Sequence, residues 1–213
     1  MNQPLEICHL GRRSYEEVHD LQQRCLKARI EGTIGDTLLL VEHDPIVTLG
    51  RGTEDNAADG VTVPVLEVER GGEATYHGPG QLVAYPILFL EEGNRDLHKY
   101  LRKLEQVVLN LLKSYGVEGR RVEGKTGVWI GDQKVASIGV AVRRWVTWHG
   151  IALNVTTDLD AFRGFKPCGL ESGVMTRLAD HTQKQVDLSG VMDDFVTRFV
   201  GQFGYLKVVE LRS

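Results

Sequence analysis

Cys168 stands in a local setting that favours nucleophilic chemistry. It lies between Pro167 and Gly169, in a polar stretch that also contains Arg163 and Lys166. Cationic neighbours favour the thiolate, which is the nucleophilic form of cysteine. Glycine beside it would leave a backbone N–H free to stabilise an oxyanion. A structural cysteine is the alternative that these residues leave open.

Lys134 is the second candidate for chemistry, because it precedes a mostly small and apolar run at residues 135–142. This run predicts a strand, which would hold the amine at the edge of a low-polarity environment. Burial there would lower the pKa of the amine. An exposed lysine at the end of a hairpin is the alternative.

Residues 70–81 combine a glycine-rich backbone with many polar side chains. They read Arg-Gly-Gly-Glu-Ala-Thr-Tyr-His-Gly-Pro-Gly-Gln and precede the apolar run at residues 82–90. Glycine permits positive φ and lets a ligand or another backbone come close. A plain corner needs few hydrogen-bonding groups, so the polar side chains favour a binding loop over a corner.

The elements that position these residues follow from hydrophobic spacing and capping. Helices are predicted to begin at Ser14, Asp96 and Ser189, and Glu17 gives the first of them the spacing of a capping box. Strands are predicted at residues 5–10, 37–41, 46–49, 61–65, 81–89, 128–130, 134–142, 146–155 and 205–211. Together they predict one α/β domain over residues 1–213, with a mixed, mostly antiparallel sheet flanked by helices. His43, between two strands, is predicted to be a solvated turn residue.

Composition narrows the functional classes. Of the 213 residues, 42% are hydrophobic and 25% charged, which is typical of a soluble globular protein. A net charge of −4 provides no global field to attract nucleic acid or an anionic membrane. The N-terminus has no signal-peptide core, and no apolar run approaches membrane-spanning length. Three cysteines without metal-like pairing argue against disulfides or a zinc site, so a cytoplasmic protein is expected.

Four motifs, in this order, resemble the lipoyl(octanoyl) transferases, also called lipoate-protein ligase B. They are the loop at residues 70–81, Lys-Val-Ala-Ser-Ile-Gly at 134–139, Trp-His-Gly-Ile-Ala-Leu-Asn-Val at 148–155, and Phe-Lys-Pro-Cys-Gly at 165–169. The resemblance extends over roughly residues 45–176. It implies a fold similar to the catalytic domain of biotin protein ligases.

The resemblance also implies a reaction, its partners and its site. An octanoyl group would move from the thioester of acyl carrier protein to a lysine of a lipoyl domain, in 2-oxoacid dehydrogenases or the glycine cleavage H protein. This would be the first step of endogenous protein lipoylation, with no cofactor or metal. Nothing in the sequence suggests an obligate interface, so a monomer is expected. Cys168 would carry the acyl group and Lys134 would activate it. The acyl pocket would be lined by Arg70, Gly71, Gly72, Glu73, Ala74, Thr75, Tyr76, His77, Ser137, Ile138, Gly139, Gly150, Ile151 and Ala152.

The chemistry agrees with the residues. Exchange of one thioester for another is nearly neutral in energy and amide formation runs downhill, so no ATP is needed. His77 and His149 are lesser candidates for proton handling. An acidic carrier protein would need a basic patch, predicted at Arg143, Arg144, Arg163 and Lys166.

Three other functions remain open at this point. An ATP-dependent lipoate or biotin ligase on the same fold would activate a free acid, but it would need no cysteine nucleophile. A Cys-His hydrolase would release the acid to water. An acyl-binding protein without catalysis would not need Cys168 at all.

Overall fold

The computed structural model describes residues 4–54, 57–163, 165, 169 and 172–211. Three residues named above, Lys166, Pro167 and Cys168, lie outside the described residues. Within the described ranges, no helix is long and apolar enough to cross a membrane.

Local capping sets the ends of the three helices α1 (Tyr15–Glu31), α2 (Leu97–Ser114) and α3 (Leu188–Phe203). The Ser14 hydroxyl accepts the backbone N–H of Glu17, and Asp96 caps the second helix through the N–H of Lys99, as predicted. The prediction for the third helix was wrong by two residues. Asp187, not Ser189, is its cap, because the Asp187 carboxylate reaches the Gly190 N–H at 2.8 Å.

The described strands form two sheets. They are β1 (Leu5–Arg13), β2 (Asp36–His43), β3 (Ile46–Leu49), β4 (Val65–Glu67), β5 (Thr75–His77), β6 (Gln81–Ile87), β7 (Arg120–Val122), β8 (Lys125–Ile130), β9 (Gln133–Arg143), β10 (Val146–Asn154) and β11 (Val208–Leu211). The main sheet has the order β11-β1-β2-β6-β10-β9-β8-β7, and the small sheet has the order β4-β3-β5. In the main sheet β1 runs parallel to β11 and β2, and the remaining pairs are antiparallel. The predicted mixed, mostly antiparallel sheet is confirmed.

Helices cover both faces of the main sheet. Apolar residues of α2 and α3, such as Leu104 and Phe195, pack on one face. Helix α1 packs on the other face through Tyr15, Val18 and Leu26. The side chains of β10 are buried along its whole length, since this central strand has covered faces and paired neighbours on both sides. It can therefore hold functional side chains in fixed positions.

Two local predictions were wrong because tertiary contacts extend or replace local patterns. His43 is no solvated turn residue: it ends β2 and is fully buried. Its Nδ1 donates to the Arg13 carbonyl oxygen, and its Nε2 accepts from the Tyr85 hydroxyl at 2.8 Å. The alternation at residues 61–65 gives no strand of that length, since β4 begins only at Val65.

Candidate active site

A cavity of about 420 Å³ lies on the α1 side of the main sheet. This volume is in the range of small-molecule sites. Most of the predicted site residues lie in its wall: Arg70, Gly71, Gly72, Glu73, Thr75, His77, Lys134, Ser137, Ile138, Gly139, Gly150, Ile151 and Ala152. Three motifs that are far apart in sequence therefore meet at one cavity.

Ala74 and Tyr76 do not line this cavity, unlike their neighbours Thr75 and His77. Side chains alternate between the two faces of a strand, and β5 turns Thr75 and His77 toward the cavity. Tyr76 and Ala74 instead pack with Phe162 in a separate apolar cluster. The resemblance assigned all four to the acyl pocket, and the strand period explains why only two of them reach it.

Arg70 braces the glycine-rich loop from inside. Its guanidinium donates to the backbone oxygens of Glu73 at 2.7 Å and Thr48 at 2.9 Å, and to the Thr48 hydroxyl at 2.8 Å. The side chain is only 7% exposed. A planar guanidinium can satisfy several acceptors at fixed angles, so Arg70 holds the loop shape. The acyl group contacts that the resemblance suggests for Arg70 are not needed to explain its burial.

The loop is also fixed against β9. The Gly71 N–H donates to the Val140 carbonyl oxygen at 3.0 Å. Gly139, next to Val140, must be small, because a Cβ at residue 139 would lie 2.7 Å from the Gly71 carbonyl oxygen. The close backbone approach predicted for this loop therefore occurs between two parts of the protein.

A chain of hydrogen bonds connects the glycine-rich loop to the strand of Lys134. His77 donates from Nδ1 to the Gln81 side-chain oxygen at 2.8 Å, and Gln81 donates to the Asn154 side-chain oxygen at 3.0 Å. Asn154 in turn donates to the Thr176 carbonyl oxygen. The Thr176 N–H then donates to the carbonyl oxygen of Lys134 at 3.0 Å. These bonds fix the relative positions of the motifs.

Lys134 lies on β9 and is 4% exposed, so it is a buried cavity residue and not an exposed hairpin lysine. Its Nζ lies 5.9 Å from the centre of the Trp129 ring, close enough for a cation–π contact. Gly127 on the adjacent β8 makes room for it: a Cβ at residue 127 would lie 2.6 Å from Lys134 Cε. The neighbouring strand is therefore shaped around the lysine side chain.

Gly169 brings the fourth motif to the same wall. It lines the cavity next to the loop, and a Cβ on it would collide with the Glu73 carboxylate. One oxygen of this carboxylate, Oε2, is buried without a hydrogen-bond partner among the described residues. Lys134, Glu73 and Gly169 of the fourth motif therefore line the same cavity. Cys168 of this motif lies outside the described residues.

His149 and His77 are buried as neutral imidazoles. Burial lowers the pKa of His149 to about 3, and it lowers the pKa of His77 well below 6.5. His149 is 1% exposed, and its backbone N–H donates to the Gln22 side-chain oxygen. Both rings therefore stay neutral near pH 7. This agrees with their ranking below Lys134 as candidates for proton transfer.

Several cavity residues were missed by sequence reasoning. Tyr15, Val83, Tyr85 and Thr126 line the cavity from other elements, and Thr48 holds Arg70 from β3. Burial raises the pKa of Tyr15 to about 12, so its hydroxyl stays protonated. Of these residues, only Tyr15 carries a signal in the sequence, because it directly follows Ser14, the cap of α1. The others look like ordinary strand residues.

The three buried histidines predict acid destabilisation. Burial lowers the pKa of His43 to about 4 and acts in the same direction on His77 and His149. An unfolded histidine has a pKa of about 6.5, so below that pH the unfolded chain binds protons that the native state does not. The stability that these neutral histidines contribute is therefore fully present above about pH 6.5 and is lost as the pH falls below that value. The contributions of His43 and His149 together should lower the free energy of unfolding by about 4 kcal/mol between about pH 7.5 and about pH 5.

Urea unfolding at several pH values measures this loss. His43→Gln should remove about 2 kcal/mol of the pH dependence, whatever it does to stability at pH 7.5. The exposed His98 offers a matched control, and His98→Gln should leave the dependence unchanged. An identical pH dependence in the wild type and His43→Gln would contradict the assignment.

Comparison with known sequences gives close matches over most of the chain. Residues 14–200 match the family model of the lipoyl protein ligase A/B catalytic domain. An octanoyltransferase of Caldicellulosiruptor bescii is 43% identical over 209 residues, 94% of this chain and 92% of that protein. An octanoyltransferase of Geobacter metallireducens is 44% identical over 194 residues, 91% of each chain.

Comparison with solved structures supports the fold. A bipartite lipoate protein ligase from Thermoplasma acidophilum superposes with a TM-score of 0.72 at 17% identity, over 100% of this chain and 87% of that one. The biotin protein ligase of Aquifex aeolicus gives a TM-score of 0.55 at 16% identity, over 96% of this chain and 70% of that one. The predicted similarity to biotin protein ligases is confirmed at the level of fold.

Proposed function

The chain belongs to the lipoyl protein ligase A/B catalytic-domain family, and on that premise we propose that it transfers an octanoyl group to a lysine of a lipoyl domain. It is an acyltransferase. The observation that carries the proposal is its 43% and 44% identity to octanoyltransferases, together with one cavity that gathers Lys134, the glycine-rich loop and Gly169. A single domain over residues 1–213 performs the reaction.

The proposed donor is the octanoyl thioester of acyl carrier protein, and the proposed nucleophile is Cys168. Its thiolate attacks the thioester carbonyl carbon, and a backbone N–H such as that of Gly169 stabilises the oxyanion. The new C–S bond forms and the bond to the carrier sulfur breaks. The leaving thiolate takes a proton from the Lys134 ammonium, which leaves a neutral amine beside the acyl-enzyme.

The second half of the reaction restores the enzyme. The acceptor lysine amine attacks the Cys168 thioester, the amide bond forms, and the C–S bond breaks. The proton lost by the attacking amine passes to Lys134, which again faces the Cys168 thiolate as a cation. The site of Lys134 supports this role, because the residue is buried and lines the cavity in which the thioester would react.

The cavity wall suits the acyl chain. Ile138, Gly139, Ile151 and Ala152 give it a narrow apolar side, and Val83 continues this side from β6. The polar groups lie on the loop and at Lys134, where the thioester would react. A volume of about 420 Å³ is in the range of small-molecule sites and suits a medium-length acyl chain.

Transfer from octanoyl-acyl carrier protein to an apo lipoyl domain, followed by the mass of the acceptor, tests this function. The acceptor should gain one octanoyl group without ATP, and an acceptor with arginine in place of its target lysine should gain none. Modification only with free octanoate and ATP would instead indicate a ligase. Release of free octanoate alone would indicate a hydrolase.

A basic groove beside the cavity is the proposed carrier-docking surface. Arg24, Lys27, Arg51, Arg143 and Arg144 line it, against the carboxylates of Asp20, Glu31 and Glu69. It adjoins the cavity at Gly71, which lines both. Arg143 and Arg144 are exposed at the turn between β9 and β10, as expected for a docking role. Arg163 of the predicted patch lies outside this groove and pairs with Asp160 at 2.9 Å.

Charge reversal tests the groove. Arg143→Glu with Arg144→Glu should slow acylation by octanoyl-acyl carrier protein by about 10-fold at low salt and flatten its dependence on ionic strength. The matched control is Lys99→Glu with Lys113→Glu, which makes the same charge change on α2 across the sheet. Equal slowing by both pairs would indicate a general charge effect and remove the two arginines from docking.

A further inference from the structure

Three side chains from different elements converge beside the cavity. His19 belongs to α1, Glu69 to the segment before the glycine-rich loop, and His149 to β10. Glu69 Oε2 lies 3.0 Å from His19 Nε2 and 3.7 Å from His149 Nε2. The donor atoms of all three residues lie within 4.8 Å of one another. None of them is required by the acyl transfer proposed above.

His149 is the unusual member of this group. Its side chain is 1% exposed, yet neither ring nitrogen has a hydrogen-bond partner among the described residues. A buried polar atom without a partner costs about 1–3 kcal/mol, so such a group is expected to have a ligand. The nearest charged atom to its Nε2 in this cluster is the Glu69 carboxylate, beyond hydrogen-bond distance.

We propose that His19, Glu69 and His149 form a binding site for a divalent transition cation such as Zn²⁺. Two imidazole nitrogens and a carboxylate oxygen are a typical donor set for zinc. Ligands at about 2.0–2.2 Å around a tetrahedral ion lie about 3.4 Å apart, and the two distances to Glu69 fall on either side of that value. Small rotations of the His19 and Glu69 side chains close the remaining gap.

The exposure of the three residues indicates an open coordination site. The Glu69 side chain is 41% exposed and that of His19 15% exposed, so the ion can enter from the groove side. Three protein ligands leave a fourth position for water or a substrate group. Occupancy would connect α1, β10 and the start of the glycine-rich loop, and so restrain the loop that forms the cavity wall.

The test uses the full chain without a tag, stripped with EDTA and titrated with Zn²⁺ by calorimetry and with Co²⁺ by visible absorption. We expect one saturable site, a visible cobalt spectrum of low coordination number and no sulfur-to-metal charge-transfer band. Binding should also raise the melting temperature, and the increase should grow with the logarithm of the free Zn²⁺ concentration above Kd. His19→Gln and Glu69→Gln should each weaken binding at least about tenfold.

Two controls make the outcome decisive. His98→Gln removes an exposed histidine from α2 and should leave binding unchanged. Cys8→Ala with Cys25→Ala removes the two described thiols and should also leave it unchanged. The proposal is overturned if no saturable binding occurs, if neither His19→Gln nor Glu69→Gln weakens it, or if the cysteine variant abolishes it.

Discussion

Replacement of Cys168 by alanine is expected to lower octanoyl transfer by about 10⁴-fold or more, since loss of a catalytic nucleophile removes the covalent route. The expectation rests on the covalent route proposed above and on Gly169, the neighbour of Cys168 in sequence, which lines the cavity with Lys134. Transfer is measured as octanoylation of an apo lipoyl domain from octanoyl-acyl carrier protein.

The other cysteines of the chain provide the matched control. Cys8 and Cys25 are partly buried, and burial raises the pKa of the Cys8 thiol to about 11 and that of the Cys25 thiol in the same direction. Their thiolates are scarce at neutral pH. Cys8→Ala with Cys25→Ala should therefore retain near wild-type transfer. Substantial transfer by Cys168→Ala would rule out the covalent route.

Lys134→Met is expected to slow transfer by about 10²–10⁴-fold, the usual contribution of a general acid–base group. Methionine keeps much of the length and apolar character of the side chain, so the space next to Gly127 and Trp129 stays filled. The far-ultraviolet circular dichroism and melting temperature check that the variant folds. A transfer rate within about threefold of wild type would remove Lys134 from the mechanism.

Two further variants separate the functions of this lysine. Lys134→Arg keeps the positive charge but cannot act as a base, because arginine does not lose its proton in proteins. It should preserve rapid alkylation of Cys168 near neutral pH and still lose the transfer to the acceptor. Lys103→Met on α2 is the control, since Lys103 Nζ lies 5.6 Å from the centre of the Phe203 ring and the residue does not line the cavity. It should transfer at close to the wild-type rate.

Features that depend on neighbouring residues were predictable from the sequence. Ser14 and Asp96 begin their helices because a side-chain oxygen meets an unpaired N–H three residues later, which is a local contact. The hairpin between β9 and β10 follows from its apolar flanks, and residues 144 and 145 form its two-residue turn at positive φ. Asp187 took the place of Ser189 because both are suitable caps two residues apart.

Features that depend on distant contacts were not predictable in this way. Nothing next to His43 in sequence indicates that the Tyr85 hydroxyl and the Arg13 carbonyl oxygen will satisfy its ring. Parallel pairing of β1 with β11 joins the two ends of the chain, and local patterns do not encode such pairing. Thr48 has the pattern of an ordinary strand residue, and its hydrogen bonds with Arg70 are visible only in the structure.

The candidate site shows the same division. The loop and the strand of Lys134 could be identified by residue type and the segment at Gly150 by its resemblance to a known family, and the structure brings all three to one cavity. That His77 lines the cavity and Tyr76 does not could not be predicted, because a glycine-rich sequence does not reveal which residues of β5 face the same side. The cluster of His19, Glu69 and His149 could not be seen at all, since its members are far apart in sequence and none stands in a metal-binding motif.

The most direct test of the account is the intact mass of the enzyme after incubation with octanoyl-acyl carrier protein, before any acceptor is added. The wild type should gain one octanoyl group and Cys168→Ala should gain none, and an apo lipoyl domain added afterwards should remove the group and acquire it. If the wild-type mass stays unchanged while the acceptor is still octanoylated, transfer is direct and the proposed Cys168 thioester is wrong.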